Sequence, residues 1–478
     1  MTPWKHTALV AALAAGFAPL APAQTNEELL KELRALRERV NELERKVRDN
    51  EARSAPATPA GGAAATAAPP AGAEPAAPGM TPEQQQEFNR IALKTEALED
   101  NQERYGFKGL KISGYMDPTF IYNHRADRSG FQFLNRVNDD NGGFAYDNSY
   151  FGAAVLDLIK ETDSNTRWRL TLAPNRGVGA VFDGSSIIQE ASVSIPLTDL
   201  QTRVIAGQVP DWSGYEYLPA PQNKLITHNL LFDFTLPTAY TGAGMEITRG
   251  KWISKLMLAN MNASRRTPGN KTPVLAYRVD YARGEFQGFG FAGVHGKAAN
   301  FSENIVDAET GEAVKQPDSA VHLFEFDAYF IRGDWTVQGQ VSFGTQKDAA
   351  VTPDPDSGEL RNSRWWGLSG LAAYKFTPRL EGIARLDYLN NEKNGGGLLG
   401  YSAPDDHNGI GPAPGGDPEK GANRYALSVG ASYLLNLNTT LRAEYRLDRA
   451  SVPVFLDQDS GLYKKSNHLF GASVLVSF

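Results

Sequence analysis

The side chains in this chain that could act chemically are charges set two residues apart, and they suit filtering better than bond-breaking. Arg167 and Arg169 flank Trp168, while Arg442, Glu444, Arg446 and Asp448 alternate with Leu441, Ala443, Tyr445 and Leu447. Period-two spacing puts such charges on one face of a β-strand and the apolar residues on the other. Lining a water-filled bore, a charged face of this kind sorts ions and polar solutes by sign. Arg203, Arg278 and Arg385 join the basic candidates, against Asp117, Glu190, Asp280, Glu325, Asp327 and Asp387. The signs are mixed, so the one-sided basic ladder that a phosphate-selective wall needs is missing.

Signatures of reactive sites are weak. The stretch Gly288-Phe-Gly-Phe-Ala-Gly293 spells G-x-G-x-x-G but has no strand–turn–helix setting, so it reads as a strand and not as a dinucleotide site. No G-x-S-x-G or paired Ser/His arrangement points to hydrolysis, and no enzyme is expected. The histidines are scattered without metal-ligand spacing, and neither a cofactor nor a resident metal is expected. Asp139-Asp-Asn-Gly142, Asp354-Pro-Asp-Ser-Gly-Glu359 and Asp457-Gln-Asp-Ser-Gly461 fall short of the calcium-loop pattern and read as solvated external loops. Binding of divalent cations shared with lipopolysaccharide is the alternative reading of these stretches.

The elements that must position the charged faces begin at Gly109. From there period-two alternation runs to Phe478 through sixteen strand candidates. They lie near 109–123, 146–160, 166–174, 186–197, 200–209, 242–249, 252–261, 274–284, 286–298, 319–332, 334–346, 363–376, 379–391, 423–436, 439–450 and 467–478. Connections after even strands are tiny, such as Arg249-Gly-Lys251 and Arg332-Gly-Asp334. Those after odd strands are long, above all 210–241, which holds Asp211, Trp212, Tyr215, Glu216, Tyr217, Lys224, His228 and Asp233. A loop of that length without low complexity is expected to be ordered. Even strand number, sorted loops and aromatics at strand ends describe a transmembrane barrel. No run of about 20 apolar residues appears, so no spanning helix is expected.

Before the strands the chain changes character three times. Residues 1–23 carry a polar start, a short apolar core and Ala21-Pro22-Ala23, a secretory signal pattern. Over 24–50, Leu29, Leu33, Leu36, Val40, Leu43 and Val47 mark a heptad seam, read as a coiled coil. Residues 51–80 are an Ala/Pro/Gly-rich linker and 81–104 a second helical segment, with the barrel spanning 105–478. The chain has 478 residues, no cysteine and a net charge of −7, which argues against nucleic acid as a partner.

The terminal strand, with Phe470, Ala472, Val474, Val476 and Phe478 on one face, resembles the C-terminal strand of bacterial outer-membrane proteins. The whole strand region resembles a sixteen-stranded porin of the general and phosphate-selective type. The expectation is therefore an all-β chain: a sixteen-stranded antiparallel transmembrane β-barrel in the cell outer membrane, preceded by a short α-helical coiled coil in the periplasm. The resemblance implies a passive channel for small hydrophilic solutes and ions, narrowed by the inward-folded loop 210–241. Lining or constriction candidates are Arg167, Arg169, Arg203, Asp211, Glu216, Lys224, Asp233, Arg385, Arg442 and Arg446. Expected partners are outer-membrane lipid, lipopolysaccharide, two further copies in a homotrimer and, through the coil, peptidoglycan. A pore specific for phosphate, a sugar or an organic acid is one alternative. A barrel that tethers the outer membrane to the cell wall is the other.

Overall fold

The structure, a computed structural model, describes residues 90–91, 93–94, 106–134, 151–174, 187–263, 273–300 and 316–478. The expected signal, the coiled coil, the linker and most of the second helical segment lie outside the described residues, as does 139–142. The chain divides into two units, Met1–Tyr105 and Gly106–Phe478.

The second unit is a closed antiparallel barrel. Its wall runs through β1 (Leu110–Met116), β2 (Thr119–Asn123), β3 (Arg128–Gln132), β4 (Ala154–Glu161), β5 (Arg167–Leu172), β6 (Ile188–Pro196), β7 (Thr202–Pro210), β8 (Pro237–Arg249) and β9 (Trp252–Ala263). It continues through β10 (Val274–Ala282), β11 (Gln287–Ala298), β12 (Ser319–Arg332), β13 (Trp335–Gln346), β14 (Ser363–Lys375), β15 (Leu380–Asn390), β16 (Arg424–Asn436), β17 (Thr439–Ala450) and β20 (Ser466–Ser477). The remaining pair, β18 (Phe455–Asp457) and β19 (Leu462–Lys464), forms a separate hairpin in the connection before the last strand.

Eighteen strands make sixteen wall positions. β1 and β2 are one position broken at Asp117-Pro118, where proline has no N–H to give the ladder. β3 pairs with β2 and β4 with β1, so these two pieces share the second position. Residues 128–132 thus lie in the wall, although the sequence reading placed them in a loop. A tight return at Asp127, with φ of 47°, sets Phe120 opposite Phe131. β8 begins at Pro237, five residues before its expected start, which shortens the free segment to 211–236. The G-x-G-x-x-G stretch lies within β11, as a strand.

Alternation sorts the two faces. On β13, Trp335, Val337 and Phe343 are exposed while Thr336, Gln340 and Ser342 are buried. Aromatic contacts gather where strands meet the short turns, Trp252 on Tyr281 and Trp335 on Tyr374, and again near the long loops, Trp366 on Tyr388. An apolar outer band between two aromatic girdles is the surface of a barrel in lipid. The turns at Gly250 and Gly333 need glycine because their φ angles are 59° and 57°.

The wall closes where β20 returns to β1. Tyr115 faces Ser477, and Gly114 and Phe478 exchange backbone hydrogen bonds of 3.3 and 3.1 Å. A Cβ on Gly114 would stand 2.7 Å from the Phe478 ring and 2.4 Å from the Val155 carbonyl. Gly114→Val is expected to weaken closure by about 1–3 kcal/mol, the usual cost of overpacking. Loss of the compact, heat-modifiable band on unheated gels would show it, and an unchanged band would reject it.

Candidate functional site

The site is built on the segment 211–236, which leaves the wall after Pro210 and rejoins it at Pro237. It holds a 3-10 turn, Ala220–Gln222, and one short helix, α1 (Leu230–Thr235). Asn229 caps that helix, its side chain accepting from the Phe232 N–H at 2.8 Å. Six residues are too few for a helix to hold by itself, so tertiary contacts must fix it.

Those contacts come from the inward faces of β13–β17. Arg385 donates to Glu216 at 2.8 Å and to the carbonyls of Thr227 and His228, both at 2.8 Å. Arg446 donates to the His228 carbonyl at 2.6 Å and stands 3.6 Å from Asp233. Glu444 accepts from the N–H groups of Ile226 and Thr227 at 2.7 and 2.8 Å, and from the Thr227 hydroxyl at 2.6 Å. Lys224 reaches Glu381 at 2.7 Å, and Arg442 donates to the Ala220 carbonyl at 3.1 Å. Tyr215 and Ser369 share a hydrogen bond of 2.6 Å. Backbone polar groups of an irregular segment must find partners when buried, and the alternating charges of β15 and β17 supply them.

Arg385 and Arg446 are 1% and 0% exposed, so these charges do not face open water. Each lies among carboxylates: Arg385 between Glu216 and Asp387, Arg446 between Asp448 and Asp233. Burial is the largest influence on the two acids of the segment. It lifts Glu216 to about 7 and Asp233 to about 8, against the opposing pull of Arg385 and Arg446.

Beside the segment lies a cavity of about 960 Å³. It is walled by residues of β1, β4–β10, β12, β13 and β20, and by Trp212, Tyr215 and Tyr217 of the segment. Three of its cations are shared. Arg169 holds Asp157 at 3.0 Å and Glu190 at 3.2 Å. Arg278 holds Asp280 and Asp327, each at 2.8 Å, and donates to the Trp212 carbonyl at 2.7 Å. Lys255 lies 3.4 Å from Glu246. With Asp211, Glu216 and Arg167 added, seven carboxylates meet four cations around this vestibule.

The sequence-derived candidates therefore fall into two groups and one outlier. Glu216, Lys224, Asp233, Arg385, Arg442 and Arg446 meet where the segment docks. Arg167, Arg169 and Asp211 line the vestibule, Asp211 accepting from the Tyr240 hydroxyl at 2.5 Å. Arg203 stands apart, donating to Ser194 and to the Asn165 carbonyl near a turn. Sequence reasoning did not single out Arg424, which bonds Asp448 at 3.0 Å and lies over the rings of Phe234 and Phe455. It also missed Lys255 and Glu246, which come together across β8 and β9, and the wall glycines at 367, 430 and 471, whose role appears only with the segment in place. The scattered histidines prove partly neighbours: His295 and His322 are directly paired across β11 and β12, with Nδ1 atoms 3.1 Å apart. Among the described residues no group of three or more potential metal ligands forms. Asp354 instead caps its own turn, accepting from the N–H groups of Asp356 and Ser357.

With this geometry in hand, comparison with known proteins places the chain. A family model described as "Protein of unknown function (DUF3138)" matches residues 4–478. The chain belongs to the DUF3138 family. No curated protein matches it. Among solved structures, outer-membrane expressed OmpT of Vibrio cholerae is similar at a TM-score of 0.50 and 10% identity, covering 77% of this chain and 97% of that one. An anion-selective porin from Comamonas acidovorans reaches 0.47 at 10% identity, covering 77% and 99%. OmpF of Salmonella typhi, in complex with daunomycin, reaches 0.46 at 12% identity, covering 77% and 97%. The closed sixteen-position wall of this DUF3138 member, like that of the Vibrio cholerae protein at a TM-score of 0.50, has the fold of a porin-type barrel.

Two outcomes follow from the docking network. Arg385→Ala leaves Glu216 and Asp387 buried without their cation and is expected to cost about 3–5 kcal/mol, read as a lowered unfolding midpoint. Retention of the wild-type midpoint would contradict it. The raised Glu216 and Asp233 bind protons more tightly in the folded state. Their contribution is full below the ordinary carboxylate range and fades as pH rises through about 7 to 8. Thermal midpoints should fall between pH 6 and pH 9, and the doubly neutral variant Glu216→Gln, Asp233→Asn should flatten that slope.

Proposed function

We propose that the chain is a passive channel of the outer membrane for small hydrophilic solutes and ions, narrowed by the segment 211–236. The observation that carries this reading is a lipid-facing barrel whose inner side holds a charged vestibule of about 960 Å³. The work it does is not chemical: water fills the vestibule, and wall charges filter by size and sign. Glu216 is held by Arg385; the other six carboxylates against four cations favour cations, and their mutual pairing keeps that preference modest.

The substrate-specific alternatives find less support. A sugar pore needs a run of exposed aromatics, but of the three in the segment only Tyr217 is exposed: Tyr215 is buried and bonded to Ser369, and Trp212 packs on Tyr240 at 5.0 Å. A phosphate pore needs unshared cations, whereas Arg169 and Arg278 each hold two carboxylates. The proposal also takes in lipopolysaccharide contact, homotrimers and an N-terminal coil reaching towards peptidoglycan. A tethering role in place of a channel would show as a loosened envelope with unchanged permeability when residues 24–80 are removed.

Reversal potentials in planar bilayers under a potassium chloride gradient test the reading. Open steps should show a modest cation preference, and Asp280→Asn with Asp327→Asn should shift it towards anions. A strongly anion-selective reversal potential in the wild type would contradict the assignment.

A further inference from the structure

We propose that the segment 211–236 is a gate, and that the described conformation is its closed state. This rests on the channel reading but departs from a fixed rim around an open bore. All six residues of α1 are buried, with Leu230, Leu231 and Phe234 at 0–1% exposure. The helix is enclosed on every side, its one charge, Asp233, lying 3.6 Å from Arg446 and its Leu and Phe side chains meeting apolar wall. Its side chains form one continuous cluster with inward residues of two facing stretches of wall. Met257, Val294 and Leu323 belong to the β9–β12 side, Leu389, Ala426 and Leu469 to the β15–β20 side. Across the part of the bore that this cluster bridges, packed apolar side chains leave no path for water or ions. From the long-loop side Tyr401 packs edge-on against Phe234, centroids 5.6 Å apart, adding a second apolar contact.

The wall is shaped to receive this segment. Three inward glycines lie under three of its apolar side chains. A Cβ on Gly367 would stand 2.3 Å from Leu231 Cδ2, one on Gly430 2.5 Å from Leu225 Cδ2, and one on Gly471 3.2 Å from Ile226 Cδ1. Any larger residue at the first two positions would press on the segment and also on wall carbonyls, Tyr388 at 2.6 Å and Ala443 at 2.9 Å. The fastening is ionic and hydrogen-bonded, through Glu216, Glu444, Arg385 and Arg446. Buried ion pairs fix geometry more than they add stability, so the seat is a specific one. At the vestibule end Gly214, with φ of 76°, gives the segment a bend that an ordinary side chain would resist.

The chain has no cysteine, so an engineered pair is the sole disulfide. The experiment is single-channel recording of the full chain in planar bilayers. It compares the wild type, the Ile226→Cys, Gly471→Cys pair when oxidised and after reductant, and Gly367→Leu. The wild type should be closed for most of the record with brief openings. Oxidation should abolish the openings and reductant should restore them, which also shows that the pair folds. Gly367→Leu, by unseating Leu231, should raise the open fraction about tenfold. A steady open wild-type conductance that oxidation leaves unchanged would overturn the gate while the channel reading stands. Absence of conductance in every form, including reduced protein and Gly367→Leu, would overturn the channel reading and the gate with it.

Discussion

The structure depends on the pairing of β20 with β1 and β2. In lipid every backbone N–H and C=O must be met within the protein, so a sheet of this size can cross a membrane only if it has no edge. The Gly114–Phe478 exchange and the Thr119–Ser473 register remove the edge. Once the wall is a ring, period-two alternation acquires an absolute meaning: one face is lipid and the other is interior. Every later feature, including the charged rows of β15 and β17, inherits its role from that closure.

Inside the ring the molecule solves a second problem, that of burying an irregular chain. The segment 211–236 carries a short helix, a turn and several backbone groups that no strand ladder serves into the interior. Acids and arginines on neighbouring strands meet those groups one by one, and each arginine is itself divided between carboxylates. Where the segment carries methyl groups the wall carries glycine. Polar and steric complementarity therefore agree on one seat, a consistency across levels that marks a specified structure.

Much of the wall was legible in the sequence because its signal is local. Leu441 to Asp448 announces its two faces within eight residues, and the stretch 319–332 begins and ends where the strand does. Short turns with glycine at positive φ punctuate the pattern in the same local way. The interior was legible only in part. The charged rows named Arg385, Arg442 and Arg446, but nothing near them in sequence says that they hold chain rather than water. Arg446 meets the His228 carbonyl across 218 positions. α1 has too few turns to show helical periodicity, and Gly430 looks like any strand glycine until Leu225 is seen against it. The hairpin at β3 was hidden by its brevity and by the connection that follows it.

The docking of 211–236 also dictates an order of assembly. The segment is made between β7 and β8, yet its partners are Arg385, Glu444, Arg446 and Gly471, which follow roughly 150 to 240 residues later. Early strands can pair with their neighbours as they emerge, but the segment has no seat until the last third of the chain exists. It must therefore wait with Leu230, Leu231 and Phe234 unburied, and such surface is what holding chaperones recognise. Its seat is complete only once β20 is in place, because Gly471 of that strand lies under Ile226.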